Sequence, residues 1–421
     1  MAALTSADIA IWTVAVLATL GVIIRPWGLP EATWAIAGAL LLLAGAWITP
    51  QQAWSAVGQG ANVYLFLIGM MLLAEVARTE GLFDWLAAIA ARGARGSSQR
   101  LFASIYAVGI VVTALLSNDA TAVVLTPAVA AVARTARAPP LPYLFICAFI
   151  ANAASFVLPI SNPANLVVFG NHLPALLPWL GRFALPSLAA IAVTFVMLRH
   201  SQRRALGQSI AADVAVPTLT ASGRLAAGGI GLTTVLLLAS SAASVPLGIP
   251  TCAAGLLTAL VALVRSRRSP WPLVREISWG VLPLVAGLFV LVEGLDHTGL
   301  LGALDRGLHA IALRSATAAL WIAGTGSALA SNVTNNLPIG LVAGRALNAV
   351  SLSPAVGSAV LVGVDLGPNL SVTGSLATIL WLLALRREGE QIGAARFLRL
   401  GLWVMPPALL AALAAVALQG R

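Results

Sequence analysis

The chain has 421 residues, 59% of them hydrophobic and 9% charged, where a soluble domain has about a quarter of its residues charged. With a mean hydropathy of +0.94, this composition belongs to a polytopic integral membrane protein and excludes a water-soluble enzyme or binding domain. All 24 basic residues are arginine, giving a formal net charge of +10; they stand in short loops between apolar runs, where positive charge sets topology, and not in a nucleic-acid footprint.

Runs long enough to cross about 30 Å of hydrocarbon fall at 8–24, 32–49, 61–78, 141–168, 184–198, 225–242, 248–264, 277–294, 355–384 and 397–418, which makes ten spans. No basic residue precedes Arg25, so the first run lacks the positive flank of a cleaved leader and reads as a retained span. Two further apolar segments, 101–133 and 315–349, are interrupted by polar islands, Ser117-Asn118-Asp119-Ala120-Thr121 and Ser331-Asn332-Val333-Thr334-Asn335-Asn336. Each arm is about 15 residues, short for a span, so both segments read as re-entrant hairpins. The segment 200–224, with Arg203, Arg204 and Pro217, reads as a linker.

The halves match. Gly69, Glu75 and Gly81 recur as Gly287, Glu293 and Gly299 at an offset of 218, and each set precedes an amphipathic segment and a hairpin. Residues 1–199 and 225–421 each contain five spans, an odd number, so the second half enters the membrane upside down. The expected fold is all-α, with two inverted-topology repeats and hairpin tips meeting near the midplane. With the amino terminus outside, 19 arginines and the linker are cytoplasmic, while only Arg182, Arg306, Arg314, Arg345 and Arg421 lie outside, a strong positive-inside bias.

The span after each hairpin is broken. Pro163 follows Ser161-Asn162 and precedes Asn165, and Pro368 and Gly374 interrupt the stretch from Asp365 to Ser375; a regular helix does not continue through such residues. Single Ser or Asn residues commonly glue transmembrane helices together. Four polar segments, each at a tip or a helix break and recurring at half-chain spacing, point instead to a midplane transport site.

Of fourteen carboxylates, Glu75, Asp119, Glu293 and Asp365 fall within spans or hairpins, where an ionisable group is a functional candidate by default. Asp119 and Asp365 lie inside the polar segments and are the proton-coupling candidates, because desolvation favours the neutral carboxyl and donated hydrogen bonds favour the charged one. Glu75 and Glu293, near span ends, fit a structural role better. With no arginine near the cavity, di- and tricarboxylate solutes fit poorly, whereas a neutral hydroxyl-rich solute or a small cation such as sodium fits amides, hydroxyls and carbonyls. Cys147 and Cys252 lie outside the four segments and read as small apolar packing residues. The four histidines show no metal-ligand spacing. Without lysine there is no phosphate loop, so an ion gradient or another subunit supplies energy, and no nucleophile–base set indicates an enzyme.

The stretches Ser117 to Pro127, Ser331 to Pro338 and Asp365 to Ala377 resemble the signature segments of the ArsB-type arsenite efflux permeases of the ion transporter superfamily, and the resemblance spans the whole chain. It implies a cytoplasmic-membrane transporter that exports arsenite and antimonite as neutral trihydroxides in exchange for protons. It implies no cofactor or bound metal, and it admits a soluble arsenite-stimulated ATPase subunit as a partner. The candidate solute-binding residues are Ser117, Asn118, Thr121, Asn162, Asn165, Ser331, Asn332, Asn335, Asn336, Asn369, Thr373 and Ser375, with Asp119 and Asp365 moving the proton. Ser-Asn tips also occur in sodium/proton antiporters of the NhaD type, which keeps sodium/proton antiport as the alternative.

Overall fold

Among the described residues, eight helical stretches are long and apolar enough to cross a membrane: Ser6–Ile24, Ala61–Thr79, Ser98–Leu115, Leu176–Ser201, Ala221–Ala242, Gly248–Ser266, Pro270–His297, which joins the helices Pro270–Glu276 and Val281–His297, and Ala394–Gln419. The structure is a computed structural model that describes residues 5–349 and 353–420, and these residues form no strand beyond an isolated bridge between Ser97 and Ser209. The shorter Glu31–Ala44 and two interrupted helices complete the spans expected from hydropathy. The first interrupted helix runs Leu141–Ala153 and Pro163–Phe169, and the second Pro354–Leu366 and Leu376–Arg387.

Two expectations need correction. The first hairpin arm is Ser98–Leu115, 18 residues and of spanning length, and its counterpart Ala316–Thr334 has 19. The reason is capping: Ser97 and Ser315 accept hydrogen bonds from Arg100 N and Ala318 N, so each arm is helical from its first residue. Hydropathy also passes over two short helices, Pro50–Gln59 and Pro270–Glu276. Both begin with a capping Thr or Ser followed by Pro, a start signal that an apolar run does not contain.

Packing exchanges elements between the halves. Ala61–Thr79 packs on Gly248–Ser266, and Val281–His297 on Glu31–Ala44, so each half's third span lies against the other half's second. Likewise Pro163–Phe169 packs on Asn336–Ala349, while Leu376–Arg387 packs on the segment Thr121–Thr135. Lipid is as apolar as leucine, so close van der Waals approach drives such contacts, and small residues allow it. A Cβ on Gly69 would collide with the Thr251 carbonyl, and one on Gly255 would lie 2.5 Å from the Gly69 carbonyl oxygen.

Many large apolar side chains face outward, among them Leu17, Leu188, Leu260, Val264, Leu402 and Leu410. In water such a surface would drive association. On this chain it is the face expected toward acyl chains, and the buried asparagines are gathered instead at the hairpin tips and helix breaks.

Candidate functional site

Helix Ser98–Leu115 stops at Leu116, and Ser117 is extended, with φ 176° and ψ 167°. Its Oγ accepts a hydrogen bond from Ala120 N at 3.2 Å, starting the return arm. Two bonds tie this tip to the break of the first interrupted span: Asn118 N donates to the Ser161 carbonyl at 3.0 Å, and Ser161 Oγ donates to the Ala114 carbonyl at 3.1 Å. Asn118 Oδ1 accepts from Asp119 N. The return arm opens with a π-helical turn, Thr121–Leu125, a widened geometry frequent at functional sites. Thr121 Oγ1 meets Thr113 Oγ1 at 2.8 Å across the hairpin.

At the first break, Asn162 caps Pro163–Phe169 by accepting from Ala164 N, while its Nδ2 donates to Asp365 Oδ1 at 2.9 Å. At the second break, Ser375 caps Leu376–Arg387 by accepting from Thr378 N, and its Oγ donates to Asn152 Oδ1 at 3.3 Å. These two contacts are counterparts. Asn162 and Ser375 are 213 residues apart, as are Asn152 and Asp365; in each half the cap of the second arm reaches the residue just before the other half's break.

Asn152 also donates to Asn369 Oδ1 at 3.0 Å, and Asn369 Nδ2 donates to the Phe149 carbonyl. Hydropathy conceals Asn152 inside an apolar run. Aligning the helix starts Pro163 and Leu376 places it opposite Asp365, a signal that the sequence does contain.

The second tip is built differently. Asn332 Nδ2 donates to the carbonyls of Ala328 and Gly367, its Oδ1 accepts from Ser371 Oγ at 2.7 Å, and its carbonyl accepts from Thr373 Oγ1 at 2.9 Å. Asn335 has φ 79° and ψ 154°, a region that side-chain-bearing residues rarely adopt. It is held by its N–H to the Ser331 carbonyl and by Asn336 N to the Gly374 carbonyl, at 2.8 and 2.9 Å. Ser331 Oγ turns back onto the Ser327 carbonyl.

A cavity of about 80 Å3 opens beside the first tip, between the scaffold helix Ala61–Thr79 and the hairpin. Of the residues singled out from the sequence, Ser117, Asp119 and Glu75 line it, together with Met70, Met71, Pro163, Glu276 and Leu380. Its lining includes three carboxylates and, among the described residues, no basic side chain. Glu75 is held by Arg78, three residues on, at 2.9 and 2.5 Å, and Arg78 also lies 3.9 Å from Glu276. The other candidates are engaged in the networks above. Asn165 Nδ2 donates to the Ser155 and Leu158 carbonyls while its Oδ1 is buried without a partner among the described residues, as is Asp365 Oδ2. Cys147 is buried, and its thiol donates to the Tyr143 carbonyl.

The matched family model, described as a citrate transporter, covers residues 13–385. The arsenical pump membrane protein of Yersinia enterocolitica is 30% identical over 389 residues, 87% of each chain. That of Escherichia coli K12 is 29% identical over 430 aligned positions, covering 96% of this chain and 97% of the other. The chain belongs to the citrate transporter family, alongside the arsenical pump membrane proteins. Among solved structures, the Alcanivorax borkumensis YdaH transporter is similar in fold, with a TM-score of 0.58 at 18% identity, over 87% of this chain and 86% of that one. Family membership and the outward apolar surface make this a multi-pass membrane transporter. The interrupted helices and the two hairpin tips tied to them are therefore its candidate transport machinery.

Proposed function

We propose that this transporter exports trivalent arsenic and antimony hydroxides from the cytoplasm in exchange for protons. The cavity at the first tip carries the reading. It is small, holding a few water-sized groups, and its described lining joins three carboxylates and two hydroxyls to apolar carbon and two thioethers, with no basic side chain to meet a tricarboxylate. A neutral polyhydroxide satisfies such a site, because it donates to carboxylates and brings no charge to be desolvated. The relatives named arsenical pump membrane proteins support the same solute class.

The reciprocal contacts between halves support two inverted-topology repeats, residues 1–199 and 225–421, joined by the linker 200–224. With the amino terminus outside, the cavity mouth near Arg78 and Glu276 faces the cytoplasm, the side from which an exporter loads. Ser117 and Asp119 contact the solute first. Asn118, Thr121, Asn162, Asn165, Ser331, Asn332, Asn335, Asn336, Asn369, Thr373 and Ser375 form the surrounding walls, and Asp119 and Asp365 exchange the proton.

Everted vesicles with an acidic interior test this. Arsenite should accumulate inside, citrate should not compete, and Asp365→Asn should abolish the dependence on the proton gradient. The acidic lining also favours a second reading, sodium/proton antiport. Gradient-driven sodium uptake without arsenite uptake would establish that one in place of the first.

A further inference from the structure

Away from both tips, helices Leu176–Ser201 and Ala394–Gln419 pack against each other along the side of the molecule. Where the first ends and the second begins, a pocket of about 540 Å3 is lined by His200, Arg203, Arg204, Arg396, Arg399 and Trp403, among others. Arg396, Arg399 and Trp403 share one helical face by their spacing. None of the four arginines enters an ion pair among the described residues. Four guanidinium groups gathered without a counter-charge repel one another, and an anion in the pocket relieves that repulsion.

The surroundings identify the kind of anion. The His200 ring stacks on Trp403, with centroids 6.1 Å apart and planes inclined by 25°. Trp403 is 49% exposed, and Leu398 and Leu402 beside it are exposed as well. An indole between a charged pocket and an apolar outer face is the arrangement found at the membrane–water boundary. The other end of the same helix pair supplies a control. Its pocket, of about 380 Å3, is lined by Gly181, Ser353 and Gln419, with Arg182 as the one basic residue among the described residues. Among the described lining residues, four arginines gather at one end against one at the other.

We infer that this pocket binds the phosphate headgroup of an anionic membrane phospholipid, whose acyl chains run along Trp403 and the neighbouring leucines. Basic pockets between transmembrane helices take such headgroups. The four arginines hold the phosphate, and the apolar rim holds the chains, so a free phosphate ion would use only half of the site.

Native mass spectrometry on the purified full chain, with equal amounts of phosphatidylglycerol and phosphatidylcholine, tests the assignment. The wild type should retain phosphatidylglycerol preferentially, and R396Q/R399Q should lose on the order of tenfold or more of that retention, from about fivefold for each basic residue at the surface. W403A leaves every charge and the topology intact and should lose retention severalfold, so the test stands even if the double variant inserts poorly. R182Q, at the other end of the helix pair, should retain lipid as the wild type does. Undiminished retention in both R396Q/R399Q and W403A, or displacement of the lipid by millimolar inorganic phosphate, would overturn the inference.

Discussion

The two hairpin tips occupy corresponding places in the two halves, yet one is open and relaxed and the other closed and strained. At the first, Ser117 is extended and faces a cavity with Asp119. At the second, Asn335 adopts φ 79°, and Asn332, Ser371 and Thr373 use up one another's hydrogen-bonding capacity. The mouths differ in the same sense. Glu75 takes its arginine from its own helix, whereas its counterpart Glu293 is bridged at 2.8 Å by Arg345 from the second hairpin, which also reaches Gln59 at 2.9 Å. An ion pair within one helix restrains nothing across a gap, while one between scaffold and hairpin holds the gap shut. Related sequences are thus held differently in one molecule, as alternating access would require of the proposed inverted repeats.

The largest expected effect separates the tips by chemistry. Asp119→Asn keeps the shape of the cavity and removes the carboxylate, and arsenite flux in everted vesicles should fall on the order of a hundredfold, the lower end of what a positioned proton-transfer group contributes. Val333→Asp at the second tip should not restore it, because Val333 is 69% exposed and stands outside the hydrogen-bonded network. Flux near the wild-type level in Asp119→Asn would remove the first tip from the coupling mechanism. Next in size is Asn332→Ala, which strips a donor from the Gly367 carbonyl and an acceptor from Ser371. Leaving such groups unpaired costs about 2 kcal/mol, read as a lowered melting temperature in detergent. Asn118→Ala loses less, since its backbone N–H, and not its side chain, makes the bond to Ser161.

Much of this architecture is legible in the chain itself. Pro163, Pro368 and Gly374 mark the breaks, the Ser-Asn islands mark the tips, and the 218-residue offset pairs Gly81 with Gly299, both at positive φ of 72° and 74°. Which polar groups face one another is not legible. The Asn162–Asp365 and Ser375–Asn152 contacts join residues more than 200 positions apart in chain, and hydropathy reports depth but not azimuth. For the same reason Met70 and Met71, apolar residues in an apolar run, give no sign of lining the cavity beside Asp119.

The latch at the second mouth predicts a smaller, directional effect. Arg345→Gln removes the bridge to Glu293 and weakens that to Gln59, and the pair is only partly exposed, at 19% for each side chain. A loss of about 1 kcal/mol shifts the balance between open and closed second mouths about fivefold. Hydrogen exchange in 336–345 should rise accordingly. His297, 3.7 Å from Glu293, stands on the same helix and so cannot bridge to the hairpin in place of the guanidinium. Arg78→Gln, whose partners Glu75 and Glu276 both lie outside the first hairpin, should leave exchange in that hairpin unchanged. Equal responses in the two halves would mean that Arg345 is an ordinary surface partner and not a latch.

The smallest effect turns on backbone geometry and has opposite signs at the two tips. Asn335→Gly removes the Cβ that makes φ 79° costly, a strain of about 1–3 kcal/mol. Against this stand the chain entropy of glycine, roughly 0.5–1 kcal/mol, and two long side-chain bonds at 3.4 Å, to the Thr373 carbonyl and from Leu337 N. The net should be a gain of up to about 1 kcal/mol and a small rise in melting temperature. Ser117→Gly relieves no strain, because φ 176° suits any residue, and it loses the cap on Ala120 N, so stability should fall by a few tenths of a kcal/mol. A fall in both variants would show that the Asn335 side chain, and not the bonds of its backbone, holds the second tip in place.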